Sequence, residues 1–149
     1  MLQKKLRQID AETGELLEGV IAFVHPKRTN AFITGWIAMG QAQLRELAIA
    51  QSQRRITGAD RMVLDMLLSI VTSENWLAVS QANLANELGM PRQNVHRSIQ
   101  KLIAEGVLCE GPRVGSQRSY RLSPAYGWKG SARAHVHALD EYRKQKLKE

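Results

Sequence analysis

From Pro91 to Ala104 the chain reads Pro-Arg-Gln-Asn-Val-His-Arg-Ser-Ile-Gln-Lys-Leu-Ile-Ala, with no acidic residue in the run. Arg, Asn and Gln carry donors and acceptors that match base edges: Arg pairs with guanine O6 and N7, Asn or Gln with adenine N6 and N7. Such reading requires these side chains on one exposed face. Stepping about 100° per residue from Val95 turns Gln93, His96, Arg97 and Gln100 away from the side that carries Val95, Ile99 and Leu102. Arg92 and Asn94 fall at the N-terminal end, where a helix favours a phosphate. The plainer alternative is an αα-corner with a solvated polar face, against which the charge and the preceding turn weigh.

Three other groups of residues invite a chemical reading. His135-Val136-His137 followed by Tyr142 has the composition of a metal-binding histidine pair with a tyrosine nucleophile, as strand nicking requires. On a helix, residues two apart point about 200° apart, and the neighbouring Ala, Asp, Glu, Arg and Lys favour helix. Two solvent-exposed histidines are expected instead, and neither a metal site nor a catalytic residue. Cys109 has no second cysteine to pair with and no fixed base nearby in sequence, so a small buried strand residue is expected rather than a reactive thiol. Gly127-Trp128-Lys129-Gly130 lacks the spacing and hydroxyl of a phosphate-cradling loop. No cofactor is implied.

The elements that must position the basic helix can be read from caps and apolar periods. Ser80 caps a short helix bearing Leu84, Ala85 and Leu88, Gly89 ends it, and Pro91 fits the first turn of the next, about Pro91 to Glu105. Small Ala85 permits close approach, and the pair makes a helix-turn-helix. Beyond it, Gly106–Glu110 and Ser119–Leu122 are strand candidates around a basic loop, residues 111–118, of the kind that contacts a DNA backbone or minor groove. Trp76–Val79 completes a three-stranded sheet. Upstream, a helix is predicted from about Trp36 to Ala50. Another opens at Thr57 with Asp60 as a weaker capping box and runs to Val71, so apolar that most of its circumference must be covered. Lys5–Ile9 and Leu16–Val24 flank a turn at Gly14 and predict an N-terminal hairpin. The expected organisation is a hairpin and basic loop over 1–30, a winged helix-turn-helix domain over 31–130 and a helix or tail over 131–149. The fold class is α+β, mainly helical.

Composition agrees. A chain of 149 residues fits one domain with appendages and argues against a multidomain enzyme. Its 44% hydrophobic content is that of a globular protein. The apolar run Met62–Val71 is broken by Asp65 and falls far short of the roughly 20 residues of a membrane helix, so a cytoplasmic protein without membrane association is expected. Of the net charge of +7, six units come from eight Lys/Arg against two Asp/Glu between Pro91 and Arg133. That concentration singles out a polyanionic partner.

The Ile9-Asp10-Ala11-Glu12-Thr13-Gly14-Glu15 turn, the two upstream helices, the helix-turn-helix, Tyr120-Arg121-Leu122-Ser123-Pro124 and Gly127-Trp128-Lys129-Gly130 follow one another in an order that resembles the RepL-type plasmid replication initiators over most of residues 7–130. Winged-helix regulators share the central 80–122 part. The resemblance implies a protein that binds double-stranded DNA at an origin and brings in host replication proteins. It implies that Arg92, Gln93, Asn94, His96, Arg97 and Gln100 read the duplex, that Arg113, Gln117 and Arg118 make wing contacts, and that Lys27 and Arg28 add phosphate contacts. A homodimer on a two-fold site is expected. A transcriptional repressor or copy-number regulator would use the same surface.

Overall fold

Thr57 and Asp60 open the helix against which the helix-turn-helix packs. In the computed structural model, which describes residues 35–115 and 117–148, α1 covers Gln41–Ser52 and α2 covers Gly58–Ile70. Thr57 is extended; its Oγ1 accepts from the Asp60 amide at 3.2 Å, and Asp60 Oδ2 accepts from the Thr57 amide at 2.7 Å, a complete capping box. The expected hairpin over 1–30, with Lys27 and Arg28, lies outside the described residues.

Two expectations about these helices are corrected. The first helix begins at Gln41 rather than near Trp36, because Ala38–Met39 form a short strand, β1. Half-buried Ile37 and Met39 alternate with exposed Trp36 and Ala38, a strand period that a helical count over a longer window conceals. The second helix buries Val63, Leu64 and Leu67 on one side, while Met62 and Ile70 stay 43% and 44% exposed. Met66 and Leu68 pack half-buried on its flanks, so the covered arc is wider than one face but leaves Met62 and Ile70 to solvent.

A tight turn, Ser73–Asn75, then reverses the chain into β2, Trp76–Ala78. Asn75 takes a left-handed φ of 68° and is fully buried. Its amide meets every demand of that position: Nδ2 donates to the carbonyls of Leu122 and Gly127, and Oδ1 accepts from the Lys129 amide. Next come α3, Gln81–Leu88, and α4, Arg92–Ala104. The Ser80 hydroxyl accepts from the Asn83 amide, and Gly89 stops α3 at φ 61°. Pro91 proves to be the extended residue just before α4 rather than part of its first turn; its carbonyl accepts from the Asn94 amide at 2.9 Å.

The sheet has the order β2-β4-β3, all antiparallel, with β3 over Leu108–Val114 and β4 over Gln117–Leu122. Both wing strands run further than the sequence suggests, and β3 starts at Leu108 rather than Gly106. The anticipated eight-residue loop is a two-stranded ribbon that turns at Gly115. Its outer residues are mostly exposed on both faces, so no apolar alternation marks them as strand. The register shifts between Glu110 and Arg113, at Gly111-Pro112. Fully buried Leu64, Leu77, Val95, Ile99, Leu102, Tyr120 and Leu122 join helices and sheet in one core.

The chain closes with β5, Gly127–Trp128, paired with β1, and α5, Ala132–Lys146. A Cβ on Gly127 would lie 2.6 Å from Met39 Sδ and 2.8 Å from the Ala38 carbonyl oxygen, so that pairing needs glycine. Cys109 lies half-buried on β3, where a more buried residue was expected.

Candidate nucleic-acid interface

The α4 helix divides its side chains cleanly. Val95, Ser98, Ile99 and Leu102 are buried, whereas Arg92, Gln93, Asn94, His96, Arg97 and Gln100 are exposed. The wing carries Arg113, Gln117 and Arg118, also exposed. A groove of about 480 Å³ separates α4 from the wing and is lined by Ser80, Gln81, Arg92, His96, Gln117 and Arg118, with Tyr120 and Val79 at its apolar side. A second concavity, of about 470 Å³, is lined by Gln81, Arg92, Gln93, His96 and Arg97. Two helix residues and two wing residues predicted separately thus meet in one groove. Asn94, Gln100 and Arg113 line neither concavity and present themselves from the flanks.

Charge on this side is largely uncompensated. Among the described residues, no carboxylate lies within 4.0 Å of Arg92, Arg97 or Arg113. Arg113 and Arg118 are direct cross-strand partners in the ribbon, a like-charge placement that disfavours the hairpin on its own. Glu110 relieves part of it, at 3.5 Å from Arg118.

Two residues of this region escape the sequence reading. Gln81, which follows the Ser80 cap, donates from Nε2 to the Tyr120 hydroxyl at 2.9 Å and so ties the start of α3 to the sheet at the floor of the groove. No local pattern in sequence announces a bond spanning 39 residues. Asp60 does more than cap α2: its Oδ1 accepts from Ser98 Oγ at 2.6 Å, and Oδ2 receives the Lys101 ammonium at 3.2 Å. Burial pushes the Asp60 carboxyl up, but the hydrogen bonds from Ser98, Thr57 and Lys101 together outweigh it and hold the group below the ordinary carboxylate range. At the other end of α4, Arg55 pairs with Glu105 and with Glu46 of α1, the latter at 2.7 Å.

The histidine pair near the C-terminus takes a different course from the one anticipated. His135 and His137 lie on α5 and diverge. The expectation of two solvent-exposed histidines holds for His137 alone, whose side chain is 77% exposed. His135 is half-buried, stacks on Trp128 with ring centroids 4.9 Å apart, and bonds the Pro124 carbonyl through Nε2 at 2.7 Å. Trp128 is large and close enough in space to capture the ring. Among the described residues no group of three or more His, Cys, Asp or Glu is placed to hold a metal ion, and no helix is long and apolar enough to cross a membrane.

Two helices joined by a tight turn, the second with a basic outward face, and a β-ribbon beside it define a winged helix-turn-helix DNA-binding domain. In agreement, the family described as winged helix-turn-helix DNA-binding matches residues 78–108, from the end of β2 to the start of β3. Among solved structures, the chain is similar to a protein of the thermoacidophilic archaeon Sulfolobus tokodaii at 14% identity, over 71% of this chain and 99% of that one, with a TM-score of 0.42. It is also similar to a possible transcriptional regulator from Methanosarcina mazei Go1 at 17% identity, over 69% and 86% of the two chains, with a TM-score of 0.40. No curated protein sequence matches it.

Proposed function

We propose that the chain recognises a specific duplex sequence with Arg92, Gln93, Asn94, His96, Arg97 and Gln100 of α4, grips the adjacent backbone with Arg113, Gln117 and Arg118 of the wing, and serves as an origin-binding initiator of plasmid replication. The observation that carries the DNA-reading part is the groove lined jointly by Arg92, His96, Gln117 and Arg118. A helix with exposed Arg, Asn and Gln can enter a major groove and discriminate base pairs there, while cationic side chains on the ribbon add sequence-independent, salt-sensitive affinity. The initiator role is supported by the resemblance in order and spacing across residues 7–130, and it includes a homodimer on a two-fold site and recruitment of host replication proteins.

A second reading, a transcriptional repressor or copy-number regulator, uses the same surface, and the match of residues 78–108 to a winged helix-turn-helix DNA-binding family supports the DNA binding common to both. Selection of bound duplexes from random and plasmid DNA tests the shared part. One enriched site, inverted or iterated, is expected, and no enrichment would remove the recognition assignment. A minimal plasmid that needs the gene to replicate supports initiation; replication without it supports the repressor. Sedimentation as a monomer both free and on the selected duplex would refute the homodimer.

A further inference from the structure

The contact that fixes α4 from behind is buried, charged and supplied by another helix. Asp60 and Ser98 are each 3% exposed. Ser98 is flanked on the buried side of α4 by Val95, Ile99 and Leu102. Apolar contacts of that kind are non-directional and tolerate small rotations of one helix on another. A hydrogen bond to an ionised acceptor is short and directional, and it does not. Ser98 Oγ donates to Asp60 Oδ1 at 2.6 Å, while Oδ2 accepts from the Thr57 amide and hydroxyl at 2.7 and 2.9 Å. The cap of α2 is complete without any bond from α4, so Ser98 is an added constraint on α4 itself.

The second α4 residue on this carboxylate is Lys101, 3.2 Å from Oδ2. It follows Arg97 by one turn and lies about 40° around the helix from it, on the flank toward α2. The ion pair draws its ammonium away from the outward face. Rotation matters at this scale: at a side-chain radius of about 6 Å, a turn of roughly 10° moves a guanidinium by about 1 Å, the difference between a hydrogen bond and none.

We propose that Asp60 is a positioning residue for DNA recognition: through Ser98 it sets the rotation of α4 that presents Gln93, Arg97 and Gln100 to base edges, and through Lys101 it withholds one cation from the phosphates. This rests on α4 being the base-reading helix. It assigns sequence discrimination to a residue that touches no DNA.

The test compares wild type with Ser98→Ala, Asp60→Asn and the double variant Asp60→Asn/Lys101→Met. The probes are the duplex selected by the wild type and a random-sequence duplex of equal length, titrated by fluorescence anisotropy across a salt series well below each variant's Tm. Ser98→Ala leaves the capping box whole and should reduce the preference for the selected duplex about tenfold with an unaltered salt slope. Asp60→Asn should lose preference similarly and, with Lys101 released, bind random duplex with a slope steeper by about 0.9, the value for one added phosphate contact. The double variant should lose that extra slope but not regain preference. If Asp60→Asn does not fold, Ser98→Ala decides alone. A lowered Tm with undiminished preference in Ser98→Ala would overturn the positioning role while leaving the DNA reading intact. Failure of Arg92→Ala and Arg97→Ala to weaken binding would overturn the reading of α4 and this assignment with it.

Discussion

Arg118 and Arg121 stand three residues apart on the same strand and meet opposite surroundings. Arg118 opens onto the groove beside α4, its side chain 46% exposed and held loosely by Glu110. Arg121 lies with its guanidinium 5.1 Å from the Trp76 ring centre and 5.9 Å from that of Trp128, and donates from Nε to the Glu74 carbonyl at 3.0 Å. Trp128 in turn stacks on His135 of α5. On one side of the sheet the cation opens onto the groove; on the other it serves as a layer in a column of rings. Equal in a charge count, the two differ in what they are available for, and only the cross-strand and stacking partners reveal which is which.

The comparison can be broken in four ways, from the largest expected effect to the smallest. Asp60→Ala removes the buried carboxylate behind α4 and takes the acceptor from four donors, the Thr57 amide and hydroxyl, the Ser98 hydroxyl and the Lys101 ammonium, so unfolding in urea at pH 7 should show a loss of roughly 2–4 kcal/mol. Because its folded-state value is depressed, this contribution is whole above the ordinary carboxylate pKa near 3.9 and is lost as the pH falls through the folded value. The stability gap between wild type and variant should therefore narrow as the medium turns acid; a gap of the same size at every pH would contradict the assigned charge. Next, Arg92→Ala combined with Arg97→Ala should weaken selected-duplex binding by about two orders of magnitude and flatten its salt dependence, at unaltered Tm.

The third pair sharpens the contrast directly. Arg121→Ala should cost about 1 kcal/mol of stability, from the ring contacts and the bond to Glu74, and spare DNA affinity. Arg118→Ala should do the reverse, weakening DNA binding several-fold while Tm stays put. Identical profiles for the two variants in a thermal melt and an anisotropy titration would erase the distinction. Smallest is His135→Ala, expected to lower stability by about 0.5–1.5 kcal/mol through loss of stacking on Trp128. It should not alter duplex affinity; if it does, α5 is coupled to the recognition surface.

The helix-turn-helix was legible because its signals are local. Ser80, Gly89 and Pro91 punctuate the chain within a dozen residues, and Val95, Ile99 and Leu102 keep a clean helical period, all three fully buried. The outward set on α4 follows from that period alone. What escaped was set by partners distant in sequence: β1 exists because Gly127 and Trp128 pair with it, and Asp60 meets Ser98 and Lys101 across some 40 residues. The wing strands escaped for another reason. A ribbon wet on both sides has no buried face, so its residues carry no alternation for a reader to find.

That same ribbon has to project, and a projecting hairpin offers its outer strand to any other chain with free backbone groups. β3 is the edge of its sheet, yet it carries Pro112, which has no N–H, at a register shift between Glu110 and Arg113. The row of donors that would template an intruding strand is interrupted midway along. At the far edge β2 offers three residues, too few to seed an added strand. The molecule can thus extend a bare β-arm into solvent without its copies zipping into fibrils.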